Sequence, residues 1–139
     1  MDYSINDRME YVLSVTRRIP AEDLSAAVLA VLLSLQFKCG LDSFDTLRNA
    51  IVIKTRNPGM QMTDVYEALH DCCLSMPDAK ASEQAIRSCI RSAWKRKQES
   101  GWNYFFPEQV VMEKCPSNKE FVAEVASTME LWQSMMRNG

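Results

Sequence analysis

Apolar residues recur at intervals of three and four positions along almost the whole chain, which is the period of an α-helix. Only four glycines and five prolines occur among the 139 residues, whereas a β-sandwich or barrel needs many tight turns. The length is that of one domain, and no repeat, low-complexity tract or linker divides it. The pattern therefore predicts a single compact, all-α domain of five to six helices over residues 1–139.

The first two predicted helices cover residues 6–18 and 21–38. Pro20 suits the first turn of the second helix, since the N–H that it lacks would be unpaired there anyway. This second helix is apolar on most of its circumference, which is typical of a central helix. Gly40 follows it and is expected to form a left-handed C-terminal cap.

Turn and capping residues separate the middle helices. Asp42 or Ser43 can cap a third helix that continues to about residue 54. An Asn-Pro-Gly turn at residues 57–59 ends this region, and Thr63 begins a fourth helix. These signals predict two helices joined by a tight turn.

The second half of the chain is predicted to contain two longer helices. The first covers residues 79–98 and stops before a glycine. The aromatic stretch at residues 102–116 reads as irregular, with a hydrophobic plug and a strand-like segment at residues 110–112. Ser117 caps the last helix, and Glu120 completes the spacing of a capping box.

Positive charge is concentrated in the helix predicted over residues 79–98. Six basic residues and one acidic residue give residues 80–98 a net charge of +5, in a chain of net charge −2. Because Lys and Arg contacts to phosphate supply most non-specific affinity for DNA, this segregation favours a nucleic-acid-binding face. The alternative is a solvated face, since cations stabilise a helix C-terminus. That alternative accounts for residues 95–97 but not for the cations nearer the start.

The polar face of this helix supplies the candidate site. A short helix and a brief break precede it, so residues 63–98 have the order of a helix-turn-helix. Arg pairs with guanine, Gln with adenine and Glu with cytosine in the major groove. The residues expected to read bases are Glu83, Gln84 and Arg87. Those expected to bind phosphates are Lys80, Ser88, Arg91 and Lys95.

Three short motifs occur in order: LRNAI at residues 47–51, AIRSCIRSAW at residues 85–94 and PSNKEF at residues 116–121. Together, over residues 28–135, they resemble the C-terminal effector domain of the stage-zero sporulation response regulator, the master transcription factor of spore-forming Firmicutes. The resemblance implies a sigma-factor-like domain that regulates transcription at promoter DNA, bound in tandem or as a homodimer. Residues 1–25 would then be an extra N-terminal helical segment.

The same resemblance assigns roles and exposes departures. Members of the family present a Glu, an Arg and a second Arg three residues later to the DNA. Glu83 and Arg87 match two of these, but Gln84 replaces the first Arg and Ser88 replaces the usual His. The turn at residues 74–79 is longer than in the family, and the 139 residues lack the βα alternation of the family's phospho-acceptor receiver. If these residues are the whole protein, no phosphorylation switch is expected in cis. A degenerate effector-like module that binds a protein without sequence-specific DNA binding is the alternative function.

Catalysis and metal binding are not expected. His70 and Cys73 share one predicted helix face, but no third group orients them, and buried cysteine is usually a small hydrophobe. The five cysteines form no CxxC pair, so neither a zinc site nor a cofactor site is predicted. The odd cysteine count favours a reducing cytoplasm, and no apolar run approaches the ~18 residues needed to cross a bilayer.

Overall fold

The structure is a computed structural model that describes residues 5–38, 40, 42–72 and 77–138. These residues form eight α-helices and no strand, which confirms the all-α class but exceeds the predicted five to six helices. The helices are α1 (Ile5–Val15), α2 (Leu24–Ser34), α3 (Asp42–Arg56), α4 (Met62–Cys72), α5 (Ala79–Arg96), α6 (Glu99–Phe105), α7 (Pro107–Val111) and α8 (Asn118–Asn138). Within the described ranges, no helix combines the length and apolar character needed to cross a membrane.

Helix α3 lies at the centre of the packing, in contact with α2, α4, α5 and α8. Its apolar stripe, which includes Phe44, Leu47 and Ile51, is fully buried. The helix expected to be central, α2, is also buried along most of its length, but α3 contacts more neighbours. The core that positions the other helices is therefore built around α3 and α8.

Both ends of α2 differ from the prediction. The helix begins at Leu24 because the Asp23 side chain accepts a hydrogen bond from the Ala26 N–H at 3.1 Å. It ends at Ser34, and Gln36, with φ of 73°, takes the left-handed position that was assigned to Gly40. The N–H groups of residues 36 and 37 donate to the carbonyls of residues 33 and 32, which is a Schellman motif.

The prediction of irregular structure for residues 102–116 is wrong for residues 102–111, holds for residues 112–116, and is right that most of the aromatic side chains are buried. Helices α6 and α7 occupy residues 99–111, and residues 110 and 111 are helical rather than extended. Trp102, Phe105 and Phe106 are buried, and the Trp102 indole Nε1–H donates to the Leu35 carbonyl at 2.9 Å. The aromatic residues therefore form short helices because tertiary packing, rather than local length, stabilises them.

The start of α8 follows the prediction. The Ser117 hydroxyl accepts from the Glu120 N–H, and the Glu120 carboxylate accepts from the Ser117 N–H, each at 3.1 Å. This is the reciprocal capping box that the sequence predicts. The apolar face of α8 is buried along the core: Phe121, Val122, Val125, Met129 and Trp132.

Candidate nucleic-acid interface

Helices α4 and α5, which the sequence predicts as the two helices of a helix-turn-helix, pack against each other. Residues 73–76, which hold most of the predicted turn, lie outside the described residues, so the motif itself stays a prediction. The Asp78 side chain caps α5 by accepting from the Ala81 N–H at 2.8 Å. The helix ends at Arg96, two residues earlier than predicted.

Helix α5 has one buried and one exposed face. Ile86, Cys89, Ile90 and Ala93 are buried, as the helical period predicts. All seven candidate site residues are exposed on the other side: Lys80, Glu83, Gln84, Arg87, Ser88, Arg91 and Lys95. Among the described residues, the ion pairs are Arg8 with Glu124 and Arg48 with Asp45, so no cation of this face is held in an ion pair.

Two cations at the C-terminal end of α5 are used within the fold. Arg96 donates from Nη2 to the Gln36 carbonyl at 3.0 Å. The Lys97 ammonium lies 3.9 Å from the centroid of the Trp94 ring, in a cation–π contact. These contacts give Arg96 and Lys97 roles within the fold, whereas the cations at residues 80, 87, 91 and 95 are exposed. Stabilisation of the helix C-terminus can still account for Lys95 but not for the three cations nearer the start.

A groove of about 600 Å³ borders this face of α5. Arg87 and Arg91 line one wall, the first turn of α4 lines another, and residues 114–120 line the third. Sequence reasoning did not find Lys114 and Lys119, which also line the groove. Lys114 precedes the motif at residues 116–121 and Lys119 lies within it, but no local pattern indicates that this segment folds against α5.

Asn118 connects the three elements around the groove. Its side-chain amide donates to the Glu83 carbonyl at 2.9 Å and to the Tyr66 hydroxyl at 3.1 Å. Burial raises the pKa of Tyr66, so the phenol stays protonated at neutral pH. Asn118 thereby holds the start of α8 against both α4 and α5.

The thiols near the interface are poor nucleophiles. Burial raises the pKa of Cys115, although the nearby Arg91 and Lys97 act in the opposite direction. Burial also raises the pKa of Cys89 to about 11. With these raised pKa values, both thiols are protonated at neutral pH. They are poor nucleophiles because the thiolate is the reactive form.

The pair weighed for catalysis, His70 and Cys73, lies only partly within the described residues. His70 is exposed on α4, and Cys73 lies outside the described residues. Within the described ranges, no three His, Cys, Asp or Glu side chains are placed to hold a metal ion. The absence of catalysis therefore stays an expectation from the sequence.

No family model matches the chain, and no curated protein is significantly similar to it. The likeness to the sporulation effector domain depends on the three motifs alone. The function is therefore inferred from the exposed face of α5 and the residues beside it.

Proposed function

We propose that this protein is a DNA-binding transcriptional regulator of the sporulation-initiation effector type. In this proposal α5 lies in the major groove of promoter DNA. The observation that carries it is the exposed cationic face of α5. Its cations form no ion pair among the described residues, and the face lies opposite a buried apolar stripe. A reducing cytoplasm is the proposed location, consistent with the free thiols of Cys89 and Cys115.

The dimensions and residue order of α5 suit this role. Its 18 residues span roughly 27 Å, long enough to follow the major groove. Glu83, Gln84 and Arg87 lie in the first half of the helix, where recognition helices contact base edges. The phosphate contacts are assigned to Lys80, Ser88, Arg91 and Lys95, on the same exposed surface.

The two departures from the family pattern give the proposal a specific consequence. Gln84 is uncharged and pairs with adenine, whereas the Arg expected there pairs with guanine. Ser88 stands where the family has a His, so the imidazole N–H donor is lost, but the serine hydroxyl can still donate to a phosphate. We therefore expect a promoter site with an adenine at the position that family members read as guanine.

The test is Arg87→Ala in equilibrium binding to a duplex selected by the wild-type protein from a randomised pool. Loss of a bidentate base contact should weaken binding by about 1–3 kcal/mol and relax selectivity at one base pair. Arg17→Ala is the matched control, because Arg17 is exposed just after α1, which packs on α2, α6 and α8. Wild-type affinity and selectivity in Arg87→Ala would refute the proposal.

A protein-binding module without sequence-specific DNA binding is the second candidate. Val111 and Met112, with exposed fractions of 77% and 70%, form an apolar tip next to Lys114. Exposed apolar side chains beside polar ones are typical of a protein contact. Failure of the wild-type protein to retard any duplex at low salt would favour this candidate over the first.

A further inference from the structure

The groove beside α5 has a second cationic wall. Lys114 lies between α7 and α8, and Lys119 lies in the first turn of α8; both are exposed. They face the same space as Arg87 and Arg91, which approach it from α5. Four cations from two distant parts of the chain thus converge on one groove.

The two carboxylates in the groove do not cancel this charge. Glu120 is held by its own helix start, since its carboxylate accepts from the Ser117 N–H at 3.1 Å and from the Gln109 amide at 3.2 Å. Glu83 belongs to the exposed face of α5. Neither carboxylate forms an ion pair with a groove cation among the described residues. Four cations against two carboxylates leave the groove with a net positive charge.

The position of the groove relative to α5 indicates the kind of anion that it can hold. It follows the flank of the helix that carries Arg87 and Arg91, and the first turn of α4 lies at its side. When a recognition helix lies in the major groove, its flank faces the sugar–phosphate backbone of one strand, and the preceding helix crosses that backbone. The open groove therefore lies where a DNA strand passes the protein.

We infer that this groove binds the sugar–phosphate backbone of one DNA strand, with Lys114 and Lys119 each contacting a phosphate. The inference rests on the proposed function and extends the interface from α5 to the start of α8. These contacts are independent of base sequence. They add affinity and fix the register of α5, whereas selectivity remains with the residues on α5.

The test measures the salt dependence of binding for Lys114→Gln and Lys119→Gln between 50 and 200 mM KCl. Each lost phosphate contact should lower the slope of log affinity against log salt by about 0.9. Over this fourfold range, the wild type should therefore lose about 3.5-fold more affinity than either variant. The decrease should be the same on the selected duplex and on an unrelated one, while Arg17→Gln should keep the wild-type slope.

Neutral methylphosphonates placed at single backbone positions identify the contacts directly. A substitution at the phosphate bound by Lys114 should weaken the wild-type complex and have no further effect on Lys114→Gln. Unchanged slopes in both lysine variants, with Arg87→Ala still impaired, would overturn the groove assignment and leave the proposed function intact. Absence of wild-type binding to every duplex at low salt would overturn both.

Discussion

Replacement of Arg8 by methionine is expected to destabilise the fold by about 3 kcal/mol. Arg8 lies on α1, and its side chain is only 13% exposed. Its Nε donates to the Tyr104 carbonyl at 2.7 Å, and Nη1 donates to the Glu124 carboxylate at 2.6 Å. The guanidinium also lies 5.3 Å from the centroid of the Phe105 ring. One side chain therefore joins α1 to α6 and α8.

The magnitude follows from these three contacts. The charged hydrogen bond to the Tyr104 carbonyl contributes roughly 1.5–3 kcal/mol. The pair with Glu124 adds only about 0.5–1 kcal/mol, because that carboxylate is 42% exposed and screened by water. The contact with the Phe105 ring adds a similar amount, whereas methionine preserves the packing of the aliphatic stem. For a chain of this length, the loss corresponds to a decrease in Tm of roughly 10 °C.

Thermal and urea denaturation, followed by circular dichroism, measure this loss. Arg8→Lys should be about half as damaging, because it keeps the charge but cannot bridge all of these acceptors. A double-mutant cycle of Arg8→Met and Glu124→Gln isolates the ion pair, and the expected coupling free energy is about 0.5–1 kcal/mol. A Tm for Arg8→Met within about 2 °C of the wild-type value would show that the network contributes little to stability.

Two further substitutions test other parts of the fold. Gly101→Ala should lower the free energy of unfolding, measured by urea denaturation, by about 1–3 kcal/mol. The added Cβ would lie 2.8 Å from the Tyr11 hydroxyl oxygen and 3.0 Å from Leu35 Cδ2. An equal loss in a Tyr11→Phe background would contradict the clash with the hydroxyl. The Ser117 N–H holds the pKa of Glu120 below its ordinary value, so ionised Glu120 stabilises the fold at neutral pH and loses this effect as pH falls through the lowered pKa. The Tm advantage of wild type over Glu120→Gln should therefore begin to shrink as pH falls below the ordinary glutamate pKa of about 4.3, and it should vanish only below the lowered pKa of the folded state. A Tm difference that stays constant across this acid range would refute the prediction.

Local signals predicted much of the helical framework. The starts of α5 and α8 were recoverable because a turn residue and a capping spacing act over three or four positions. The buried stripe of α5 was recoverable for the same reason, since residues three and four apart share one face of a helix. These features depend on neighbours along the chain, which sequence reasoning can evaluate.

Features that depend on distant packing were missed. Helices α6 and α7 are too short to be stable alone, and they exist because Trp102, Phe105 and Phe106 are buried against the rest of the core. Likewise, α2 ends at a left-handed Gln36 rather than at Gly40, and the indole of Trp102 binds the Leu35 carbonyl beside that end. Local propensity predicted that α2 ends just before Gly40, whereas the helix ends at Ser34, where these tertiary contacts form.

For the candidate interface, the amino-acid sequence by itself determined the positive charge of α5 and the separation of its polar and apolar faces. Only the tertiary structure decided that this face is uncovered and that Lys114 and Lys119 lie beside it. The physical reason is that helical periodicity places residues three and four positions apart on the same face of one helix, and this can be read from the sequence. The groove, in contrast, exists because Asn118 binds Glu83 and Tyr66, which are 35 and 52 positions away along the chain.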